Sequence, residues 1–229
     1  MTEKQMKRPP PRAETTPKAK TKTRRTPKQT RAIASRENVI VGAKAALTEF
    51  GYTKLTMRNV ASRSNTGVGT IYDYFSSKHA MLRELLQERL ALRLEVFDET
   101  YADTSTSASV ATFIQSYLQK MKTQGLWSKY DMELHRAAEA DDDMQRLLDW
   151  HHEQTQKRYV DALLVAGSVW PKEDLQVVAD YLITISNQFE QSLALTSDER
   201  SQKVTSWLIR KTFLSVVRDT LLKKPQNWL

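Results

Sequence analysis

The sequence predicts an all-α fold, and three observations support that prediction. Apolar residues recur every three or four positions through most of the chain from about residue 32 onwards. Over the same stretch, only six glycines and two of the seven prolines interrupt the pattern. No segment shows the period-two alternation, bounded by turn residues, that indicates a β-strand. With 229 residues, of which 40% are hydrophobic, the chain is long enough to bury a sizeable core.

Positive charge is concentrated at the start of the chain. Residues 1–31 hold eleven basic residues against two acidic ones, together with five of the seven prolines and few apolar side chains. Such a segment cannot bury enough surface to offset its ordering entropy, so it is predicted to be a disordered basic tail. Residues 32–80 carry a net charge of +3 and residues 81–229 one of −4. This asymmetry indicates that one end of the chain meets a polyanion.

The composition excludes several classes of protein. The chain contains no cysteine, which rules out disulfides, thiolate chemistry and Cys-ligated zinc. No apolar run reaches the ~18–20 residues that span a bilayer. No apolar segment follows the first basic residues, as it would in a secretory signal. We therefore expect a soluble, cytoplasmic protein with no membrane partner, no cofactor and no bound metal.

Three helices are predicted directly after the basic tail. The first runs from about Ser35, a plausible N-cap, to Phe50, and Gly51 follows where a left-handed cap is expected. The second begins at Thr56, another N-cap residue. The turn at residues 64–67 then separates it from a third helix.

The turn at residues 64–67 reads Ser-Asn-Thr-Gly and is too short to be a linker. Asn65 tolerates a positive φ, so it is expected to make the sharp bend. The third helix follows and runs through Tyr72. The second and third helices are short and joined by a tight turn, and the first helix packs across them. This arrangement predicts a helix-turn-helix. Gly67 and Gly69 weaken the third helix by ~1 kcal/mol each relative to alanine. That penalty favours a helix whose backbone must approach another surface closely.

The rest of the chain predicts a larger helical domain. Ser76 and Ser77 cap a fourth helix, and residues 101–109 are expected to form a loop. The three predicted units are the tail (1–31), the helix-turn-helix domain (32–80) and the larger domain (81–229). The further helices are expected at about 108–123, 127–139, 141–166, 171–195 and 198–224.

The residues around the turn resemble a known family. Residues 55–61 (LTMRNVA) and 69–78 (GTIYDYFSSK) are similar to the DNA-binding domain of tetracycline-repressor (TetR) family regulators, and residues 50–52 (FGY) fit as well. The resemblance covers about residues 35–82. The chain departs from the family at the turn, where Ser-Asn-Thr stands in place of a small residue, glycine and valine, and Gly67 in place of a common serine.

The resemblance implies a set of contacts with double-stranded DNA. Thr56 would cap its helix and offer its hydroxyl or N–H to a phosphate, and Arg58 would reach a guanine or a phosphate. Val68 and the Thr70 methyl would touch thymine methyls in the major groove. The residues expected to face the groove are Gly67, Val68, Gly69 and Thr70, and the expected phosphate contacts are Tyr72, Tyr74 and Lys78. Ile71 and Phe75 are expected in the core of the small domain.

The resemblance also implies that the larger domain dimerises. The last helix has apolar residues on more than one side, and each apolar side must be covered by another element. A symmetry mate supplies the second cover, so the last two helices predict a two-fold, four-helix homodimer interface. The predicted interface residues are Tyr181, Gln188, Trp207, Phe213, Leu214, Val217 and Leu221.

Family members bind small molecules in the larger domain, so a small-molecule effector is expected here too. The candidate lining residues are aromatic and imidazole side chains of the central helices: Trp127, Tyr130, His135, Trp150, His151, Tyr159 and Phe189. Acidic residues lie in the same region. They are interpreted as a solvated face, with a preference for a cationic ligand as the alternative; they are Asp131, Glu133, Glu139 and residues 141–143.

These features together predict a transcriptional regulator, most simply a repressor that a small molecule releases from a palindromic operator. Two other classes stay open: a nucleoid-type protein that binds DNA without sequence preference, and a helical metal-dependent hydrolase using residues 141–143 and 151–153. The hydrolase is disfavoured because no histidine is followed by aspartate, no histidines are spaced i, i+4, and no glycine loop cradles a phosphate. No catalytic residue and no enzymatic activity are therefore expected.

The basic tail generates the first testable prediction. If its basic groups contact phosphates, deleting residues 1–30 flattens the slope of log affinity against log salt by roughly 0.9 for each lost phosphate contact on duplex DNA. The preferred DNA sequence should not change. Salt titrations with the full-length and truncated proteins measure both quantities. An identical slope would identify the tail as a solubilising extension with no role in binding.

Overall fold

The computed structural model describes residues 27–104, 110–126, 128–196 and 198–222, and these residues contain helices but no strand. The all-α prediction is confirmed. No helix in these ranges is long and apolar enough to cross a membrane. The helices are α1 (Pro27–Lys54), α2 (Met57–Ser64), α3 (Val68–Tyr74), α4 (Lys78–Thr104), α5 (Val110–Thr123), α6 (Lys129–Glu139), α7 (Asp142–Val165), α8 (Lys172–Leu195) and α9 (Glu199–Leu222).

The first helix begins earlier than the sequence predicts. α1 starts at Pro27, and Ser35 lies inside the helix, so the predicted N-cap is wrong. Proline is tolerated at a first helical position, and most of the residues that follow it favour a helix. Residues 27–31 of the predicted tail are therefore helical, and its other residues lie outside the described ranges. At its far end, α1 is kinked at Gly51, whose φ of 72° confirms the positive value expected there.

The helix-turn-helix contains the predicted elements. Thr56 caps α2, with its Oγ1 accepting a hydrogen bond from the Asn59 N–H at 3.2 Å. Asn65 ends α2 with a φ of 51°, the left-handed conformation that the turn requires. Ile71 and Phe75 are buried, as expected. The sequence therefore predicted correctly both how the turn is made and which side of α3 faces inwards.

α1 and α2 approach each other closely at Gly42. A Cβ at this position would lie 2.5 Å from both the backbone nitrogen and the Cβ of Ser64. Such a distance is too short for any side chain, so only glycine allows the two helices to cross here.

The described residues form two large hydrophobic cores and a small third cluster of Val96, Met121 and Leu126, and α4 contributes to all three. The first core joins α1, α2 and α3 to the N-terminal half of α4, to α6 and to the start of α7; it includes Leu47, Ile71, Leu82, Leu86 and Leu134. The second core joins the end of α4 to α5, α7, α8 and α9; it includes Phe97, Tyr159, Leu182 and Phe213. The packing is therefore continuous across the domain boundary that was expected at residue 80.

Two residues predicted for the dimer interface are buried in the second core. Phe213 and Val217 are only 4% and 6% exposed, and with Ile209 they form the inward stripe of α9. They are covered by other helices of the same chain, so the prediction that they contact a second chain is wrong. Leu214 and Leu221 are half-buried against the same core.

Candidate functional site

One side of α3 is exposed on the surface of the small domain. Ile71 and Phe75 fix α3 against the first core, and this orientation leaves Gly67, Gly69 and Tyr72 exposed. The Tyr72 side chain is the largest group on this side, with 53% of its surface exposed. We call Gly67, Gly69 and Tyr72 the recognition face.

No contact in the described part of the chain accounts for Gly69, the second residue of α3. A Cβ at this position would meet no heavy atom of the described residues within 4 Å. Its φ is not positive, so its backbone needs no glycine either. α3 therefore forgoes the ~1 kcal/mol that alanine would contribute at this helical position. A bare backbone on an exposed helix serves close approach to another molecule.

Thr56 is more fully occupied than the resemblance implies. Its N–H and its hydroxyl both donate to Oδ1 of Asn59, at 2.9 and 2.6 Å. The two groups that were expected to meet a phosphate are thus engaged in the capping box. The first turn of α2 still contains the N–H groups of Met57 and Arg58, which a helix start leaves without intrahelical partners. The signal for this arrangement was the asparagine three residues after a capping threonine.

Two of the expected phosphate contacts also stabilise the small domain. The Tyr74 hydroxyl donates to the Ala32 carbonyl at 3.1 Å and so ties the end of α3 to α1. The Lys78 ammonium lies 4.8 Å from the centre of the Tyr52 ring, in a cation–π geometry. Sequence reasoning missed both of these partners.

The other residues expected at the DNA differ in exposure. Arg58 is exposed, whereas Thr70 and Val68 are half-buried. Val68 packs partly against the first core, so only part of its side chain faces outwards.

A cavity of about 270 Å³ lies among α4, α5, α6, α7 and α8. It is slightly smaller than common ligand pockets, which measure ~300–1,000 Å³. Three of the candidate lining residues, His135, His151 and Tyr159, meet at its walls. Sequence reasoning missed Arg93 and Phe97 of α4, because the candidate lining residues were sought only in the later helices.

Three other candidate lining residues, Tyr130, Trp150 and Phe189, are not part of the cavity lining. Tyr130 is buried in the first core, with the Arg89 guanidinium 5.6 Å from its ring centre. Trp150 is 48% exposed, since a helix turns by about 100° per residue and His151 takes the inward position. Phe189 packs against the second core outside the cavity lining. Trp127 lies outside the described residues.

Asp131, interpreted from the sequence as part of a solvated face, is buried and paired. It accepts hydrogen bonds from Arg89 Nε and Nη2 at 2.6 and 3.0 Å, and Arg93 Nη2 is 3.7 Å away. Burial acts to raise the pKa of Asp131, but Arg89, Arg93 and Ser128 outweigh it, so its pKa is lowered. Asp131 is therefore an ionised partner of two arginines and is not part of a solvated face.

Glu133 is also buried, and it joins α6 to the kinked end of α1. Its Oε2 accepts the Tyr52 N–H at 2.8 Å, and its Oε1 accepts from Arg136 Nη1 at 2.6 Å. A Cβ on Gly51 would lie 3.0 Å from Oε2, so glycine is needed for this approach as well as for its positive φ. Because His135 is two residues along the same helix, α6 contacts both the cavity and the helix-turn-helix domain.

Comparisons with known proteins agree with this arrangement. Residues 39–85 match the family model described as bacterial regulatory proteins, tetR family. No curated protein matches the chain. Similar solved structures include a TetR transcription regulator from Haloarcula marismortui ATCC 43049, with 16% identity, coverage of 82% of this chain and 99% of that one, and a TM-score of 0.67. A transcriptional regulator from Rhodococcus sp. Rha1 shows 11% identity, 82% and 98% coverage, and a TM-score of 0.69. Salmonella enterica GusR shows 15% identity, 81% and 96% coverage, and a TM-score of 0.63.

A helix-turn-helix with an exposed recognition face, joined to a larger helical domain, defines a DNA-binding transcriptional regulator. The sequence match lies on that helix-turn-helix, and the structural neighbours share the fold of both domains. Residues 39–85 are thus similar to the tetR family of bacterial regulatory proteins. The matched family is one of regulatory proteins, so neither the nucleoid-type protein nor the hydrolase is favoured.

Gly69→Ala tests the recognition face. The substitution should raise the free energy of unfolding by up to ~1 kcal/mol, because alanine is the better helix former. It should weaken operator affinity by about tenfold, equivalent to ~1.4 kcal/mol, because the new methyl group separates α3 from the DNA. Denaturant unfolding and titration with an operator selected from random duplexes measure the two effects.

Gly42→Ala is the matched comparison for this test. It adds the same methyl group against Ser64 and should lower the free energy of unfolding by ~1–3 kcal/mol. A Gly69→Ala protein that binds the selected operator as tightly as the wild type would show that α3 does not approach DNA through Gly69.

Proposed function

We propose that this chain is a repressor that binds a palindromic operator as a homodimer and leaves it when a small molecule enters the cavity. The observation that carries the proposal is the position of α6, which contributes His135 to the cavity and Glu133 to the helix-turn-helix domain. A displacement of this helix by a ligand would act directly on the end of α1, against which α2 of the helix-turn-helix is packed.

The recognition face supports the DNA-binding half of the proposal. Exposed backbone at Gly67 and Gly69 allows α3 to approach the base edges in the major groove. Tyr72 and Arg58 would contact phosphates on either side, and the first N–H groups of α2 would bind a further phosphate at the positive end of the helix dipole. Phosphate contacts of this kind set the register, while α3 reads the sequence.

Exposed apolar side chains on α8 and α9 support a homodimer. Val177 and Tyr181 are 68% and 49% exposed on α8, and Val204, Trp207 and Leu208 are 50%, 49% and 42% exposed on α9. We call these five residues the dimer face. α8 and α9 are in contact with each other, so the dimer face spans two neighbouring helices. Extended apolar surface of this kind indicates an interaction site, and a two-fold copy would complete a four-helix arrangement.

Of the interface residues expected from the sequence, Tyr181, Gln188 and Trp207 are exposed and remain in the proposal. Leu214 and Leu221 would lie at the edge of the interface. A two-fold dimer presents its two recognition helices to half-sites about one DNA turn apart, ~34–36 Å, so the operator should be a palindrome.

α4 supports the link between cavity and DNA together with α6. It contributes Arg93 and Phe97 to the cavity lining and Leu82 and Leu86 to the first core. A ligand that fits better when α4 and α6 are displaced would favour the released shape. Its effect cannot exceed its preference for that shape, since equal affinity for both shapes shifts nothing.

A charge placed in the dimer face tests the dimer. Trp207→Glu should give monomers that bind the selected operator at least tenfold more weakly, because each half-site is then bound alone. Gln124→Glu adds the same charge at an exposed position on another part of the surface and should change neither property. Light scattering after size exclusion and operator titration measure both. A monomeric wild type, or a monomeric variant with full affinity, would contradict the dimer mechanism.

Removal of the Glu133 carboxylate tests the link through α6. Glu133→Ala leaves the Tyr52 N–H without its acceptor and should lower stability by ~1.5–3 kcal/mol, the range for hydrogen bonds to charged groups. Operator affinity should also fall, because the end of α1 is no longer held against α6.

Glu133→Gln keeps an oxygen acceptor for Tyr52 and should retain most of the operator affinity. Glu139→Ala, at an exposed position of the same helix, is the control. Thermal unfolding measures the stability of the three variants, and titration measures their operator affinity. A Glu133→Ala variant with wild-type stability and affinity would exclude Glu133 as the link.

A further inference from the structure

Most of the ionisable side chains that line the cavity are arginines or histidines. The lining contains two arginines and three histidines but a single acidic side chain, Asp149. That carboxylate is exposed and accepts a hydrogen bond from Gln145 Nε2 at 3.0 Å. A cationic ligand would therefore find no buried carboxylate in the cavity lining, whereas an anionic one would meet several groups that can donate to it.

Most polar groups of the lining already have partners in the chain. Arg158 donates from Nε and Nη2 to the two carboxylate oxygens of Asp98, both at 2.8 Å. His152 Nε2 lies 2.8 Å from an Asp180 oxygen. Arg93 Nη2 donates to the Leu126 carbonyl at 2.7 Å. These contacts hold the guanidinium and imidazole groups in fixed positions at the cavity wall.

His151 differs from these groups. Its Nε2 is buried and has no hydrogen-bond partner in the part of the chain that the structure describes. Burial first, and then the charges of Arg93, His135 and His152, lower the pKa of His151 to about 3. Its imidazole is thus neutral at physiological pH and can donate one N–H. A buried polar atom without a partner destabilises the empty protein, and a ligand oxygen would relieve that penalty.

Aromatic rings form the apolar part of the cavity. The Phe97 ring centre is 5.6 Å from that of Tyr117 and 5.5 Å from that of Tyr159. Such rings favour a ligand with a flat or compact apolar body, which can stack or pack edge-on against them. The volume of about 270 Å³ restricts that body to roughly a single ring or a short chain.

We propose that the effector is a compact monocarboxylate, whose carboxylate accepts a hydrogen bond from His151 Nε2 near Arg93 and whose apolar body packs on Phe97 and Tyr117. A phosphate ester fits less well, because the additional charge requires several unengaged donors and most donors of the lining are already bonded. The inference rests on the proposed function only in treating this cavity as the effector site.

Calorimetric titration of the full-length protein tests the ligand class. The probes are phenylacetate and hexanoate, with phenylacetamide as the neutral counterpart and phenethylamine as the cationic one. Phenylacetate or hexanoate should bind at least tenfold more tightly than the amide, and the amine should not bind. Equal or tighter binding of the amide or the amine, or no binding of either carboxylate at millimolar concentration, would overturn the proposal. The two carboxylates together distinguish an aromatic from an aliphatic body.

Substitution of His151 tests the anchoring atom. His151→Leu removes the unpaired nitrogen, so it should raise the melting temperature of the empty protein while it weakens carboxylate binding by about tenfold to a hundredfold. A histidine with a purely structural role would instead lower the melting temperature when it is replaced.

Two further variants serve as controls for His151→Leu. His151→Gln keeps a donor and should retain more carboxylate affinity than the leucine variant. Trp150→Phe changes the exposed neighbour and should alter neither property. Unchanged carboxylate affinity in both His151 variants would overturn the assignment of Nε2.

Operator titration with and without phenylacetate separates this inference from the proposed function. Selective carboxylate binding without any change in operator affinity would support the ligand class and contradict release by the effector. Release of the operator by the amide or the amine, with no carboxylate binding, would contradict the ligand class and leave the repressor mechanism in place.

Discussion

The helix-turn-helix of this protein does not complete its own core. Its three helices bury side chains such as Leu47 and Ile71 against Leu82 and Leu86 of α4 and Leu134 of α6. A small three-helix unit has little interior of its own, so the shared core contributes to its stability. The consequence is functional as well as structural, because the elements that stabilise the DNA-binding surface are the same ones that line the cavity.

Directional polar contacts fix the position of those elements more narrowly than apolar packing does. Glu133 holds the N–H of Tyr52, Arg89 holds Asp131, and His79 Nδ1 lies 2.7 Å from the carboxylate of Asp141 at the start of α7. Each contact joins α6 or α7 to the first four helices. A hydrogen bond is lost over a displacement of less than an ångström, whereas packed apolar surfaces tolerate small shifts. A movement of α6 would therefore act on the small domain through these pairs.

Three of the residues to which we assign a function lower the stability of the isolated chain. Gly69 weakens α3 without any packing reason, Trp207 exposes an indole to water, and His151 buries a nitrogen without a partner. Each loss of stability is accounted for if a second molecule completes the contact: DNA, a second copy of the chain, or a ligand. Elsewhere the buried charges are paired, as Asp131 and Glu133 illustrate.

The sequence by itself determined that the chain is helical, how the turn is made and the resemblance to the tetR family, because these depend on residues close together in the chain. The cap at Thr56, the left-handed Asn65 and the inward positions of Ile71 and Phe75 follow from spacings of a few residues. Only the tertiary structure decided which apolar stripe of a helix is covered. Phe213 and Trp207 were equivalent in the sequence pattern, yet one is buried and the other exposed. Likewise Glu133 meets Tyr52 across 81 positions of sequence, and no local pattern encodes so distant a partner.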